Sequence, residues 1–127
     1  MIYGIGCDIT KISRFEKWVQ NESMIDRFYN PEERPDATAS FGRKCEFYAG
    51  RFPVKEALSK ALGSGIFVLN LKEICVRKNT EGKPELLLTG KTRQMVESRC
   101  GKNFRVHISI SHEKEYALAY AVIECGE

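Results

Sequence analysis

Long apolar runs, paired cysteines and a strong excess of one charge are all missing from this sequence. No stretch approaches the roughly 18 apolar residues of a membrane-spanning helix, and there is no charged leader with a cleavage-type site, so we expect a cytoplasmic protein with no membrane partner. The cysteines are odd in number and form no CxxC pair, which excludes a regular disulfide framework and a zinc ribbon and favours reduced thiols. They lie at positions 7, 45, 75, 100 and 125.

The net charge of +3 is too small to indicate nucleic acid binding, although it suits an anionic substrate or an acidic partner. The length of 127 residues gives room for one compact domain, which we place at residues 1–127. A composition of 43% hydrophobic and 29% charged residues argues against disorder. No internal repeat, low-complexity segment or linker interrupts the chain.

Residues 51–65 combine a helical pattern with two opposite charges. The apolar residues at 54, 57, 58, 61 and 62 form one stripe of a helix, and Gly63 follows directly, as is usual where a helix ends. Glu56 and Lys60 lie one turn apart on the opposite face, together with Ser59. On its own this pair is more typical of a surface ion pair, worth about 0.2–0.5 kcal/mol, than of a functional site.

The N-terminal residues 2–8 predict a short strand. Gly4 and Gly6 inside it indicate close approach of another backbone or of a ligand. Asp8 ends this strand, where it either caps the next helix or serves a site. Residues 10–20 predict that helix, and its basic residues form either a solvated face or a docking surface for an acidic partner. These residues are Lys11, Arg14 and Lys17.

The central residues predict a series of helices. Residues 24–29 form a short helix, and Asn30 is placed to cap another, with a proline after it and acidic residues in its first turn. Residues 35–42 have the composition of a loop. A helix resumes near Arg43 and runs toward Leu62, and Pro53 predicts that it either kinks or starts there.

The C-terminal half changes to strand patterns with one helix. A turn at residues 79–84 joins two strands as a hairpin, residues 90–100 are an amphipathic helix, and the last strand is apolar on both faces, as in a buried central strand. The fold class is therefore α+β, a small mainly antiparallel sheet packed with helices. The predicted strands are 71–78, 85–89, 104–111 and 116–123.

Five motifs resemble those of the holo-acyl-carrier-protein synthases, and they come in the family's order between residues 4 and 112. Each is weak alone, and their order makes the combination strong. They are Gly4-Ile5-Gly6-Cys7-Asp8-Ile9, the helix from Arg51 to Ala61 with its Lys-Glu-Ala, Gly63-Ser64-Gly65-Ile66, Gly82-Lys83-Pro84 and Ser109-Ile110-Ser111-His112.

The resemblance implies a 4′-phosphopantetheinyl transferase. Such an enzyme moves the phosphopantetheine arm of coenzyme A onto a serine of apo-acyl carrier protein and releases adenosine 3′,5′-bisphosphate. Fatty acid synthesis is the usual setting, and polyketide or other carriers stay open. Attack on a pyrophosphate requires neutralised charge and a positioned nucleophile, which suits Mg²⁺ held by carboxylates.

The resemblance also implies roles for individual residues. Asp8 and Glu56 would hold Mg²⁺, Lys60 would stabilise the leaving bisphosphate, and a metal-bound water or one of the carboxylates would take the serine proton. The expected coenzyme contacts are Arg51, Lys60, Gly63, Gly65, Pro84, Ser111 and His112. The expected docking surface for the acidic carrier is Lys11, Arg14, Lys17 and Arg27.

A homotrimer with active sites between subunits is a further implication of the resemblance. The sequence departs from the family pattern at Pro53, where alanine is usual, and at Cys7, which we expect to be a small buried residue. His107 is interpreted as structural. The competing hypotheses are a small basic module that binds RNA or an acidic protein, and a non-catalytic homologue, which would have lost the Asp8–Glu56 pair.

Overall fold

A computed structural model describes residues 1–126, without the side chain of Phe67. The five strands are β1 (Ile2–Lys11), β2 (Ile74–Lys78), β3 (Pro84–Leu88), β4 (Arg105–His112) and β5 (Tyr116–Glu124). The α-helices of this part are α1 (Glu16–Val19), α2 (Glu22–Phe28), α3 (Phe41–Leu62) and α4 (Gly90–Cys100). Short 3₁₀ segments cover Ile12–Phe15, Ile66–Val68 and Leu71–Glu73.

The strands form two antiparallel sheets, which confirms the predicted α+β class. One sheet has the order β1-β5-β4, and the other is the β2-β3 hairpin. The central position predicted for residues 116–123 is also confirmed, because β5 pairs with a strand on each side. The inner face of β5 is buried against α3, whereas Tyr116 and Tyr120 on its outer face are exposed.

Helix α3 packs directly on the backbone of β1. A Cβ added to Gly4 would lie 2.0 Å from the Ala61 carbonyl oxygen, and one added to Gly6 would lie 2.0 Å from that of Ala57. No side chain larger than hydrogen fits at these contacts, so the close approach predicted from the two glycines is with a helix backbone. The contact brings Asp8, on the same face of β1, next to the helix.

Helix α3 begins at Phe41, close to the predicted start near Arg43, ends at Leu62 as predicted and does not start at Pro53. Ser40 caps its N-terminus by accepting a hydrogen bond from the Arg43 N–H at 3.2 Å, and Gly63 ends it in the left-handed region at φ 77°. All five residues of the predicted apolar stripe are buried, and Ser59 is buried as well. Its hydroxyl donates to the Glu56 carbonyl rather than facing solvent.

Three local predictions near the N-terminus are wrong. Strand β1 continues to Lys11, so Asp8 lies within a strand, paired opposite Ala119, and does not end it. Cys7 is exposed and not buried. Successive residues of a strand point to opposite faces, and because Gly4 and Gly6 face α3, Cys7 faces outward. Residues 30–33 form turns and no helix, and Asn30 accepts a hydrogen bond from the Glu32 N–H.

An aromatic cluster joins the N-terminal helices to α3. Its rings pack at centroid distances of 4.7–6.3 Å, and burial of such rings is a main source of stability in a small domain. The cluster comprises Phe15, Trp18, Phe28, Tyr29, Tyr48 and Phe52. Within residues 1–126, no helix has both the length and the apolar character needed to cross a membrane.

Candidate active site

Asp8 and Lys60 form an ion pair between β1 and the last turn of α3. The Lys60 Nζ lies 3.3 Å from Asp8 Oδ1 and donates to the Cys7 carbonyl oxygen at 3.0 Å. An ammonium group carries three N–H donors, so a third donor is available to a substrate phosphate oxygen. The Lys60 side chain is 54% exposed, which leaves it free to reach a ligand.

Glu56 lies one turn before Lys60 on α3 and faces the same region. Partial burial raises the pKa of Glu56 above its ordinary value, and the neighbouring Asp8 carboxylate raises it further. The positive charges of Arg14 and Lys60 offset part of this rise. Two neighbouring carboxylates that repel each other are a favourable arrangement for a divalent cation.

The donor set fits Mg²⁺ better than a transition metal. Among the described residues, no three histidine, cysteine, aspartate or glutamate side chains converge on one point. Mg²⁺ is usually held by one or two carboxylates with waters and substrate phosphates, and Asp8 and Glu56 supply that number. Zinc or iron would require further nitrogen or sulfur ligands, which this site does not bring.

A cleft of about 500 Å³ opens beside Glu56. Its charged lining consists of Glu56, Arg14 and Arg27, and the rest is largely apolar. The Arg14 guanidinium lies 5.4 Å from the ring centroids of Trp18 and Phe52, within cation–π range. The apolar lining comprises Trp18, Met24, Phe28, Phe52, Ile66, Leu69 and Leu71.

The four predicted docking residues do not lie together. Arg14 and Arg27 line the cleft with Glu56. Lys11 lines a separate depression of about 310 Å³ with residues of the α3 N-terminus, and Lys17 is exposed on α1. The structure therefore brings two of the four basic residues to the cleft.

The predicted coenzyme contacts on α3 and its C-terminal turn differ in accessibility. Gly63 and Gly65 both have φ 77° and a Cβ at either would meet no atom within 4 Å, so this turn is open to a ligand. Arg51 instead turns inward: its guanidinium stacks 3.5 Å from the Phe47 ring, and burial lowers its pKa. Its Nε is buried without a hydrogen-bond partner in the described part of the chain.

The remaining predicted coenzyme contacts lie away from Glu56 within one chain. The His112 Nδ1 is 3.8 Å from Glu46 Oε2, and Glu46 precedes Glu56 by ten residues, or about 15 Å along a helix. Ser111 is the neighbour of His112 at the end of β4. Pro84 lines a third cleft, of about 390 Å³, between β3 and β4. His107 pairs with Glu124 at 2.9 Å on the exposed sheet face.

A buried ion pair next to Glu56 was not found by sequence reasoning. Lys55 and Glu33 are both fully buried, and Lys55 Nζ lies 2.6 Å from Glu33 Oε1. A signal for Lys55 was present, because it continues the helical spacing of the buried Leu58 and Leu62. Nothing in the sequence near Glu33 indicates its partner.

Comparison with known proteins identifies the family. A sequence model of the 4′-phosphopantetheinyl transferase superfamily matches residues 4–121. The chain belongs to this superfamily. The holo-[acyl-carrier-protein] synthase of Treponema denticola is 38% identical over 124 residues, covering 98% of this chain and 99% of that protein. That of Clostridium beijerinckii is 42% identical over 128 residues and covers 98% of each chain.

Solved structures of this superfamily share the fold. A holo-(acyl-carrier-protein) synthase from Bacillus anthracis in complex with CoA (3′,5′-ADP) has a TM-score of 0.77 and 36% identity, covering 99% of both chains. The enzyme from Neisseria meningitidis has a TM-score of 0.84 and 31% identity, covering 98% of this chain and 99% of that one. The predicted family and α+β fold are thus confirmed.

Proposed function

We propose that this protein transfers the 4′-phosphopantetheine group of coenzyme A to a serine of apo-acyl carrier protein, giving the holo carrier and adenosine 3′,5′-bisphosphate. The observation that carries the proposal is that Asp8, Glu56 and Lys60, from two distant motifs, lie close enough together to form an ion pair and to shift the pKa of Glu56. The relatives named above, over nearly their whole length, support the same activity. Fatty acid synthesis in the cytoplasm is the setting that we infer.

Mg²⁺ is the cofactor that we infer for this site. Asp8 and Glu56 would hold it, and when bound it neutralises the pyrophosphate and polarises the bond that breaks. Burial and the neighbouring Asp8 carboxylate raise the pKa of Glu56, and a bound cation would relieve the repulsion between the two carboxylates. Lys60 holds the Asp8 carboxylate in place through its ion pair, which fixes one of the two acids before substrate binds.

The chain's own residues have separate tasks in the transfer. Lys60 is placed to stabilise charge on the leaving bisphosphate with its third N–H. The open turn at Gly63 and Gly65 lets the coenzyme approach the helix end. Ionised Glu56 is a candidate to accept the serine proton, since its pKa is raised toward the range useful for a base.

Arg14 and Arg27 are the docking residues that we infer for the carrier. Both line the cleft with Glu56, where an acidic helix of the carrier would meet two guanidinium groups and an apolar floor. Charge complementarity of this kind accelerates association and selects the partner. Lys11 and Lys17 lie outside the cleft and would attract the acidic carrier through longer-range electrostatic forces.

A homotrimer with shared active sites is the assembly that we infer. Within one chain, Ser111, His112 and Pro84 lie apart from Glu56, which supports an arrangement in which a neighbouring subunit supplies these coenzyme contacts. The outer face of the β1-β5-β4 sheet is suited to such contact because it exposes several large apolar side chains. These are Tyr3, Ile5, Ile9, Tyr116 and Tyr120.

The intact mass of apo-acyl carrier protein incubated with this chain, coenzyme A and Mg²⁺ tests the proposal. We expect a gain of one phosphopantetheine that is lost with chelator and in Glu56→Ala. Glu81→Ala, an exposed glutamate in the β2-β3 turn, is the matched control and should keep the gain. No gain together with no coenzyme binding contradicts the proposed function, whereas binding without gain contradicts the choice of carrier.

A further inference from the structure

The buried Lys55–Glu33 pair connects several segments of the chain at one point. All three N–H donors of Lys55 are used: Nζ bonds Glu33 Oε1 at 2.6 Å, the Leu71 carbonyl oxygen at 2.8 Å and the Ile74 carbonyl oxygen at 2.7 Å. Glu33 is used on both oxygens, accepting from the Asn30 N–H at 2.8 Å and the Val76 N–H at 3.0 Å.

These bonds join the segments that form the walls of the cleft beside Glu56. Lys55 precedes Glu56 on α3, and it bonds the carbonyl of Leu71, whose side chain lines the cleft. Glu33 belongs to the turn that follows α2, the helix that carries Arg27 and Phe28 to the cleft. The ion pair therefore connects the three segments that line the cleft, which carry Glu56, Leu71 and Arg27.

The pair lies close to the position at which Pro53 interrupts the hydrogen bonding of α3. Pro53, two residues earlier, has no N–H to bond the Ala49 carbonyl, so the helix lacks one internal hydrogen bond there. A directional link directly after this point fixes the helix relative to the turn and the hairpin. Burial lowers the pKa of Lys55, and the Glu33 carboxylate opposes that change.

Stability alone does not require a buried ion pair at this position. Well-packed apolar residues of similar volume are often as stabilising as a buried pair, whereas removal of one partner leaves an uncompensated charge. Apolar packing would not supply directional hydrogen bonds between the four segments that this pair joins. These segments are the turn after α2, helix α3, the segment at Leu71 and strand β2.

We propose that the Glu33–Lys55 ion pair is a positioning device that sets the separation between Glu56 and the carrier-binding wall of the cleft. It acts through Glu56, Arg27 and Leu71 and does not itself touch substrate. The inference rests on the proposed function, because the wall that it positions is the inferred carrier surface.

The test compares an apolar replacement of the whole pair with destabilisation elsewhere. In Glu33→Leu/Lys55→Met, both charges are removed together, and we expect a folded protein by Trp18 fluorescence with a KM for the carrier raised between about 2-fold and 30-fold. The KM for coenzyme A should stay unchanged, since the turn at Gly63 and Gly65 is not tied to the pair. Val96→Ala creates a cavity in the core beneath α4 and is the control for lost stability. This variant should leave the KM for the carrier unchanged.

Glu33→Asp is the second variant and decides the question if the double variant does not fold. It keeps both charges and shortens the link by one methylene, so the turn after α2 must shift toward α3. A raised carrier KM with an unchanged coenzyme KM supports the proposal. A folded Glu33→Asp or double variant with the parent carrier KM overturns it, as does an equal loss in Val96→Ala. If the parent chain transfers no phosphopantetheine, the proposed function fails first, and the mass assay shows this independently.

Discussion

The ammonium of Lys60 lies 3.3 Å from the carboxylate of Asp8, although the two residues are separated by 52 positions in the chain. Their meeting depends on the direct backbone contact between β1 and α3. Since no side chain separates the two elements at Gly4 and Gly6, the backbone of β1 lies directly against the helix and brings Asp8 within reach of Lys60.

Gly6→Ala should damage the site and the fold together. The new Cβ would lie 2.0 Å from the Ala57 carbonyl oxygen. Because this oxygen belongs to the helix backbone and cannot move aside as a flexible side chain would, we expect a loss of about 1–3 kcal/mol in the free energy of unfolding. Urea denaturation measures this loss. Gly42→Ala, in the first turn of α3 with no atom within 4 Å of the new Cβ, is the control and should be neutral or slightly stabilising. An unchanged midpoint in Gly6→Ala would contradict the contact.

Glu56→Gln should raise stability at neutral pH in the absence of metal. The folded-state pKa of Glu56 is above the ordinary value of 4.5, so its favourable contribution exists below that pH and is lost as pH rises through the folded pKa. Removal of the charge therefore raises the melting temperature at neutral pH and changes little below pH 4.5. Added Mg²⁺ should stabilise the parent protein and leave Glu56→Gln unaffected.

The pKa of Glu56, measured by carboxyl NMR, should respond to its two charged neighbours in opposite directions. Asp8→Asn removes a repelling charge and should lower this pKa, while Arg14→Leu removes an attracting charge and should raise it. Arg14→Lys keeps the charge and serves as the control. Equal values in all variants would mean that burial alone determines the shift.

Arg27→Glu should slow binding of the acidic carrier and reduce the dependence of that rate on salt. Reversal of a charge at the rim of an interface mainly changes the association rate, and we expect a loss of about tenfold at low ionic strength. Stopped-flow association over a series of salt concentrations measures it. Lys91→Glu, the same charge change at the exposed start of α4, should leave the rate unchanged.

Two inactive variants should restore activity when their subunits are mixed, if the active site is shared between chains. Glu56→Ala removes an acid from one side of the site, and His112→Ala removes a coenzyme contact from the other. Co-refolding of the two gives some interfaces with both residues intact, so activity should rise well above that of either variant alone. Alkylation of the exposed Cys7, on the outer sheet face, should be slow in the assembly and fast in dissociated subunits.

Three of the predicted site residues lie close together in the structure, and their motifs were visible in the sequence. Asp8, Glu56 and Lys60 belong to motifs with fixed spacing, so their types and order were visible in the sequence. Gly4 and Gly6 correctly predicted that another backbone lies close to strand β1. The strand β1 was predicted too short because its extension to Lys11 depends on pairing with Tyr116, more than a hundred residues away.

The errors concern groups whose partners are distant in sequence. Residues 30–33 have the local pattern of a helix start, yet the carboxylate of Glu33 is bonded to Lys55 and to the Val76 N–H, and these contacts outweigh capping. Cys7 was expected inside because it is small and apolar. The alternating pattern of strand residues does not say which face of β1 is buried. The packing of α3 on Gly4 and Gly6 decides this, and it places Cys7 on the exposed face.

The bare backbone contact at Gly4 and Gly6 also bears on how relatives could be recombined. At these two positions no side chain lies between β1 and α3, so there are no complementary side-chain volumes that two parents would have to match there. Chimeras that take β1 from one relative and α3 from another should therefore tolerate divergent partners, provided that both glycines are retained and the facing helix positions stay small. In such shuffled libraries, crossovers between these two elements should survive more often than crossovers between the turn at Glu33 and the helix at Lys55.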